Sequence, residues 1–65
     1  MSQKWRFKLG ELVESYNSDV RDYQFCVIIN IEEHAWAPPY KVYNQVTGEY
    51  WFLHDNNIKK IDAFK

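Results

Sequence analysis

Two β-prone runs between Tyr40 and Leu53, joined by a short turn that contains Gly48, are the clearest feature of the hydrophobic and polar pattern of this chain. Side chains alternate between the two faces of a strand. In the first run, this alternation predicts that Val42 faces the core. On the second run, Trp51 and Leu53 share one face. The pattern therefore predicts an antiparallel hairpin with one covered face and one outward aromatic face.

Further β-prone runs precede this hairpin. Residues 4–9 alternate basic and apolar positions, as a half-buried strand does, and Leu12–Tyr16 is predicted as the next strand after a turn at Gly10. The longest run, Tyr23–Ile31, is apolar on both parities. This is typical of a strand that bends through a bulge and changes the parity of its buried face. We expect its inward-facing residues to be Cys26, Ile28 and Ile31.

The last element follows the hairpin. Asp55-Asn56-Asn57 suits a single 3-10 turn, because short polar side chains cap the free N–H groups of a turn, and Ile58 and Ile61 then have the spacing to close a barrel. The prediction is an all-β fold, a small closed barrel of about five antiparallel strands with a short 3-10 turn before the last strand. Residues 1–65 form one domain, with no linker or repeat.

Composition limits how so small a domain is stabilised. The 65 residues include one cysteine, Cys26, so no disulfide forms within the chain and side-chain packing must supply the stability. Three tryptophans, five tyrosines and four phenylalanines are present, and each aromatic side chain can bury roughly 150–250 Å². A lone thiol and an N-terminus without an apolar signal segment indicate a cytoplasmic location. No apolar run approaches the ~20 residues that span a bilayer.

Charge is balanced overall but unevenly distributed. The net charge is −1, which gives no general attraction for phosphate backbones. Residues 1–10 carry three bases and no acid, whereas residues 11–33 carry six acids against Arg21 alone. This asymmetry is either the ordinary scatter of a solvated surface or an acidic face that meets a basic partner.

Core and turn positions recur along the chain in the order Gly10-Glu11-x-Val13, Cys26-x-Ile28-x-x-Ile31, Tyr40-x-Val42-x-Asn44 with Gly48, Leu53, and Ile58-x-x-Ile61. This order resembles that of SH3-like barrels of the Tudor or KOW type over roughly residues 7–61. In size, the chain is also similar to the small SH3-like barrel proteins that tailed bacteriophages encode. The second resemblance implies a host-directed protein in the cytoplasm of an infected cell.

The Tudor resemblance implies a test for an aromatic cage, since Tudor domains that read methylated arginine or lysine surround the cation with aromatic rings. The positions where cage aromatics are expected carry Asn17, Gln24 and Thr47 in this chain. Aromatic residues stand next to some of these positions, but a shift of one residue turns a side chain to the opposite face. The cage is therefore expected to be absent.

The KOW resemblance implies binding to nucleic acid, ribosomal protein or RNA polymerase. The residues that could contact nucleic acid are Lys4, Trp5, Arg6 and Lys8, in which basic and aromatic side chains interleave as phosphate contact and base stacking require. The alternative is that Trp5 and Phe7 cover the barrel while their charged neighbours face water. With eight bases in the whole chain, any such binding would be weak and sensitive to salt.

Trp36 is the sharpest candidate for contact with a partner protein. It lies in a loop that ends in Pro38 and Pro39, and a tryptophan on a stiffened loop loses little entropy on docking. It either anchors a partner or folds back on the barrel as a lid. The predicted partner-binding set combines it with other aromatic residues: Tyr16, Tyr23, Phe25, Trp36, Tyr43 and Tyr50. The same residues would serve a homodimer.

No catalytic or metal-binding motif accompanies this fold. His34 and His54 are the only histidines, and neither lies in a nucleophile or metal motif. Cys26 has the apolar neighbours of a buried residue rather than a reactive thiol. We therefore expect a non-enzymatic protein-binding module without cofactor or metal, with weak RNA or DNA binding and structural self-association as the alternatives.

Overall fold

Five antiparallel strands form one open sheet in the computed structural model, which describes residues 5–33 and 36–61. The strands are β1 (Leu12–Asn17), β2 (Asp22–Ile31), β3 (Tyr40–Asn44), β4 (Tyr50–Leu53) and β5 (Ile58–Lys60), and a 3-10 turn covers Asp55–Asn57. Their order in the sheet is β4-β3-β2-β1-β5. The all-β class, the antiparallel strands and the 3-10 turn before the last strand are confirmed. The described residues contain no helix with the length and apolar character that crossing a membrane requires.

The sheet is not closed, so the prediction of a closed barrel is wrong. Strands β4 and β5 are the two edges, and no ladder joins them in the described part of the chain. The three residues of β5 pair with Val13, Glu14 and Ser15 of β1. Because β5 is so short, it covers only part of the β1 edge, and Tyr16 and Asn17 of β1 do not pair with it.

The N-terminal segment does not form the strand predicted over residues 4–9. Lys4 lies outside the described residues, and residues 5–9 belong to no strand. The backbone N–H groups of Arg6 and Phe7 instead donate to the Tyr40 hydroxyl oxygen, at 3.0 and 3.4 Å. We call this segment the N-terminal strap, and its own Phe7 side chain is buried in the core.

Strand β2 bends where its sequence predicts. The register with β3 shifts between Ile28 and Asn30, which marks a β-bulge, and the intervening Ile29 is exposed. Before the bulge Cys26 and Ile28 are buried, and after it Ile31 packs against the core. The change in buried parity follows from the extra residue of the bulge, which confirms the interpretation of this run.

The core lies on the concave side of the sheet. Its buried apolar residues come from the strap and all strands except β4: Phe7, Val13, Cys26, Ile28, Tyr40, Val42 and Ile58. Trp51 and Leu53 of β4 are half-buried against it. The inward placement of Cys26, Ile28, Val42 and Ile58 is confirmed, whereas Ile61 is half-buried just after β5 ends.

Asn44 fixes the turn between β3 and β4. Its side-chain Oδ1 accepts from the backbone N–H groups of Val46 and Thr47, at 2.7 and 3.0 Å. Its own carbonyl oxygen accepts from Gly48 N at 2.8 Å, and Gly48 has a φ of 78°, a left-handed conformation that glycine adopts without strain. The turn therefore depends on one buried amide and one glycine.

Candidate functional site: the aromatic outer face and the seam cleft

An apolar row crosses four strands on the outer side of the sheet. Leu12 pairs with Val27, Val27 with Tyr43, and Tyr43 with Tyr50, and paired residues point to the same side. Phe25 precedes Val27 by two residues and Phe52 follows Tyr50 by two, so both extend the row on the same side. We call this set the aromatic outer face: Leu12, Phe25, Val27, Tyr43, Tyr50 and Phe52.

Much of this face remains open to solvent. Tyr50 and Phe52 are 60% and 59% exposed, and Phe25 is 48% exposed. The Tyr43 and Tyr50 rings lie 5.2 Å apart in a tilted arrangement. The Nζ atom of Lys41 lies 5.3 Å from the Tyr50 ring centre and 5.6 Å from that of Phe52, so a cation stands among the rings.

A second aromatic pair continues the outer side toward the β1–β2 turn. Tyr16 and Tyr23 pair across the strands, with ring centres 5.4 Å apart in an edge-to-face contact. The Nζ atom of Lys59 lies 4.3 Å from the Tyr23 ring centre. The fold thus brings five of the six predicted partner-binding residues to one side of the sheet, since Phe25, Tyr43 and Tyr50 lie there as well.

The sixth, Trp36, lies in the loop between β2 and β3 and is 90% exposed. The loop is drawn together by a hydrogen bond from Glu32 N to Pro39 O at 2.9 Å. Its indole therefore does not fold back on the core as a lid. His34, a neighbour in the same loop, lies outside the described residues.

Curling of the open sheet produces a cleft at its unpaired seam. The cleft has a volume of about 510 Å³ and is lined by Tyr16–Asp19, at the end of β1 and the turn after it, and by Glu49–Leu53, along β4. These segments belong to strands that are not neighbours in the sheet, so they meet only because the sheet curls. We call this the seam cleft.

Two acids at the start of β1, Glu11 just before the strand and Glu14 within it, lie beside lysines of β5. Glu11 forms an ion pair with Lys60 at 3.6 Å, and Glu14 is opposite Lys59 in the ladder. The acidic segment that the sequence shows at residues 11–33 is thus partly balanced by bases that arrive from the end of the chain. Acidic side chains instead line the seam cleft, where Asp19 and Glu49 stand with no lysine or arginine.

The residues predicted to contact nucleic acid divide between core and surface. Trp5 packs against the core with its ring 5.9 Å from that of Tyr40, whereas Arg6 and Lys8 are exposed. Lys4 lies outside the described residues. Arg6 does border a basic cleft with Lys59 and Lys60, a combination that the sequence pattern did not indicate.

The three positions expected to form a methyl-ligand cage carry other contacts. Gln24 Oε1 accepts from Asn17 Nδ2 and from Asn44 Nδ2, both at 2.9 Å, so two of the positions share one amide cluster. Thr47 Oγ1 lies 3.3 Å from Glu49 Oε1. Aromatic rings stand at none of the three.

No group of three or more histidine, cysteine, aspartate or glutamate side chains that could hold a metal occurs in residues 5–33 and 36–61. Cys26 is buried and its Sγ donates to the Gln24 carbonyl oxygen at 3.5 Å. Burial raises the pKa of the Cys26 thiol, and the adjacent Ser15 lowers it by less. The raised pKa reduces the thiolate fraction on which nucleophilic reactivity depends.

The thiol also predicts a pH dependence of stability. In the unfolded chain Cys26 ionises near its ordinary pKa of 9.0, whereas in the fold it holds its proton to higher pH. The stability that the neutral Cys26 thiol contributes is therefore fully present below pH 9. It declines as the pH rises through the pKa of the thiol in the folded chain. We expect the free energy of unfolding to fall more between pH 8 and pH 10 in the wild type than in Cys26→Ala, measured by urea unfolding. An equal fall of the free energy of unfolding in the wild type and in Cys26→Ala would contradict the raised pKa of the Cys26 thiol.

Comparison with known proteins found no matching family model, no similar curated protein and no similar solved structure. The candidate site is therefore argued from the positions and contacts of its own residues. The predicted partner-binding set omitted Leu12, Val27 and Phe52, although the alternation of the second hairpin run already puts Phe52 on the side of Tyr50. It had no signal for the seam cleft, which depends on how far the sheet closes.

Proposed function

We propose that this chain is a small non-enzymatic binding module that docks on another protein through the aromatic outer face. The observation that carries the proposal is the apolar row across four strands, with Tyr50 and Phe52 more than half exposed at its end. Contiguous apolar patches of this kind usually mark an interaction surface on a soluble domain. Aromatic side chains also dominate the binding energy of protein interfaces.

We further propose that the scaffold is an SH3-like barrel of the Tudor or KOW type that is open at one seam. The strand order, with β1 between β2 and β5, and the 3-10 turn directly before β5 support this proposal. A phage-encoded protein that acts on a host protein in the cytoplasm is the setting that the family resemblance implies.

Phe25→Ala and Tyr50→Ala test the outer face. Each removes an exposed ring, so we expect the thermal midpoint to stay within a few degrees of the wild type. We expect affinity for the partner to fall about tenfold or more for each variant, as truncation of an aromatic anchor does. The partner is captured from native cells on the immobilised wild-type domain, identified and purified, and its dissociation constants are then measured by calorimetry.

Val46→Ala and Val20→Ala are matched controls, because both side chains are exposed and apolar but lie in turns outside the outer face. Their affinities should equal that of the wild type. Wild-type affinity in both Phe25→Ala and Tyr50→Ala would remove the outer face as the docking surface. Trp36→Ala, with a side chain 90% exposed, separately measures whether the β2–β3 loop joins the interface.

Weak nucleic-acid binding is the second candidate, and the basic cleft favours it. Arg6, Lys59 and Lys60 line a volume of about 510 Å³ near the end of β5. Three phosphate contacts would give a logarithmic salt dependence of affinity with a slope of roughly −2 to −3. Gel retardation of RNA and DNA at low salt, compared between the wild type and Arg6→Gln/Lys59→Gln, tests this function, and an absence of retardation in the wild type removes it.

Self-association is the remaining alternative, since the outer face could meet a second copy of itself. A symmetric dimer would bury the same row on both chains. Sedimentation equilibrium of the wild type and Phe25→Ala distinguishes this case, because a dimer held by the outer face becomes a monomer in the variant.

A further inference from the structure

The open edge of β4 presents backbone groups that have no strand beside them in residues 5–33 and 36–61. Asn44 N donates to Glu49 O at 2.8 Å, a bond that flanks the pair formed by Tyr43 and Tyr50. In an antiparallel ladder, hydrogen-bonded and non-hydrogen-bonded pairs alternate along the strands. The pair next to a hydrogen-bonded pair is therefore a non-hydrogen-bonded pair. The N–H and C=O groups of Tyr50 and Phe52 therefore point away from β3, toward the open side.

In the part of the chain that the structure describes, this edge carries no charged side chain, proline or bulge and has no covering segment. Natural edges carry charged side chains, proline or a bulge, or are covered by another segment. Strand β4 is Tyr-Trp-Phe-Leu, with none of the protective residues, and its register with β3 runs without a shift. Four apolar residues beside backbone groups that face away from β3 form a template for an added strand.

The space beside β4 is the seam cleft, and its shape favours a single extended segment. The cleft is bounded on its other side by Tyr16–Asp19, where β1 continues past the end of its pairing with β5. A folded second copy would have to displace that wall to reach the edge. A lone peptide strand, which lies ~4.8 Å from the edge that it pairs with, is the smallest occupant that can bond to the β4 backbone.

The charge of the cleft indicates the chemistry of its occupant. Asp19 and Glu49 line it without any lysine or arginine. The carboxylate of Glu49 is held in place, because its Oε1 accepts from Trp51 Nε1 at 3.2 Å and from Thr47 Oγ1 at 3.3 Å. A preorganised carboxylate next to a strand edge complements a basic side chain on the incoming segment.

We propose that the seam cleft binds an extended, basic peptide segment of a partner protein as an added strand on β4. The inference rests on the proposed protein-binding function and names its binding mode and the chemistry of the partner. The backbone of the segment pairs with the outward groups of Tyr50 and Phe52, while a lysine or arginine lies near Asp19 and Glu49. Alternate side chains of the segment then extend the aromatic outer face past Phe52.

The test begins with a random heptapeptide library displayed on phage and selected on the wild-type domain. We expect enriched peptides that carry a positive charge and lack proline at alternate positions. Amide hydrogen exchange, with and without an enriched synthetic peptide, should show that the Tyr50 and Phe52 amides become protected on binding. The Trp51 amide is the internal control, because the ladder already directs it to Val42.

A chain with an N-methyl group on Phe52 removes the outward donor and keeps the ring. Residues 26–65 can be synthesised and joined to residues 1–25 at Cys26, and thermal unfolding then checks the fold. We expect peptide affinity to fall about tenfold with N-methylation. Asp19→Asn should also weaken binding and reduce its salt dependence, whereas Asp55→Asn, outside the cleft, should have no effect.

Several outcomes overturn the inference. These are the absence of any enriched peptide, unprotected Tyr50 and Phe52 amides in the bound state, or wild-type affinity after N-methylation. A wild-type dimer that N-methylation converts to a monomer would assign the edge to a second copy instead. Loss of the protein partner in Phe25→Ala but not after N-methylation would leave the proposed function intact and reject the seam cleft, because Phe25 does not line it.

Discussion

Replacing Tyr40 with alanine is expected to remove a large part of the stability of the domain at 25 °C. The ring is 2% exposed and meets Trp5 and Phe7 in edge-to-face contacts, with ring centres 5.9 and 5.4 Å away. Truncation of a buried aromatic residue costs about 3–5 kcal/mol, and a domain of this length has a total stability of about 3–10 kcal/mol. Circular dichroism and urea unfolding measure the loss.

Tyr40→Phe separates the ring from the hydroxyl. This variant keeps the packing but removes the acceptor for the Arg6 and Phe7 amides, so we expect a loss of about 1–3 kcal/mol. Tyr50→Ala is the matched control, because its ring is 60% exposed and its truncation should change stability by no more than about 0.5 kcal/mol. Wild-type stability in Tyr40→Phe would mean that the hydroxyl does not hold the N-terminal strap.

Asn44→Ala is expected to cost about 2–4 kcal/mol and to loosen the hairpin that carries β4. The Asn44 side chain is fully buried and makes three hydrogen bonds, to Val46 N, Thr47 N and Gln24 Oε1. Each hydrogen bond is worth about 1 kcal/mol, and the side-chain oxygen of Gln24 loses one donor as well. Chemical denaturation gives the stability, and hydrogen exchange of the β3 and β4 amides reports on the hairpin.

Asn44→Asp and Gln45→Ala sharpen this prediction. Aspartate keeps the acceptor for the two turn amides but faces Gln24 Oε1 with a second acceptor, so it should also destabilise the fold near pH 7. Protonation of the introduced carboxyl restores a donor, so part of the loss should be recovered on acidification. Gln45→Ala, at an exposed position of the same turn, should be nearly neutral. Equal stability of Asn44→Ala and Gln45→Ala would contradict the role of the buried amide.

Most of what the sequence predicts about the strands comes from the alternation of apolar and polar residues along each run. The inward positions of Cys26, Ile28 and Val42 follow from parity, and the bend in β2 follows from apolar residues on both parities. The 3-10 turn forms at the three consecutive short polar residues before Ile58, although it has no side-chain cap hydrogen bond. Each prediction depends on a residue and its immediate neighbours along the chain, so the sequence contains the information directly.

Predictions failed or were incomplete where the outcome depends on distant segments. Residues 5–9 have the alternation of a strand, yet the Tyr40 hydroxyl takes the amides that a ladder would use. Glu11 and Glu14 gain lysine neighbours only because β5 lies beside β1. The amide cluster joins Asn17, Gln24 and Asn44 from three strands, a contact that no local pattern encodes.

The sequence by itself determined that this protein is an antiparallel β-domain with its aromatic side chains divided between a core and an outer face. It could do so because side chains alternate across a strand. Only the tertiary structure decided that the sheet remains open, that its curl brings Tyr16–Asp19 opposite β4, and that the Tyr50 and Phe52 backbone faces the space between them. The physical reason is that closure depends on the length of β5 and the curl of the whole sheet, which are sums over many residues rather than properties of one run.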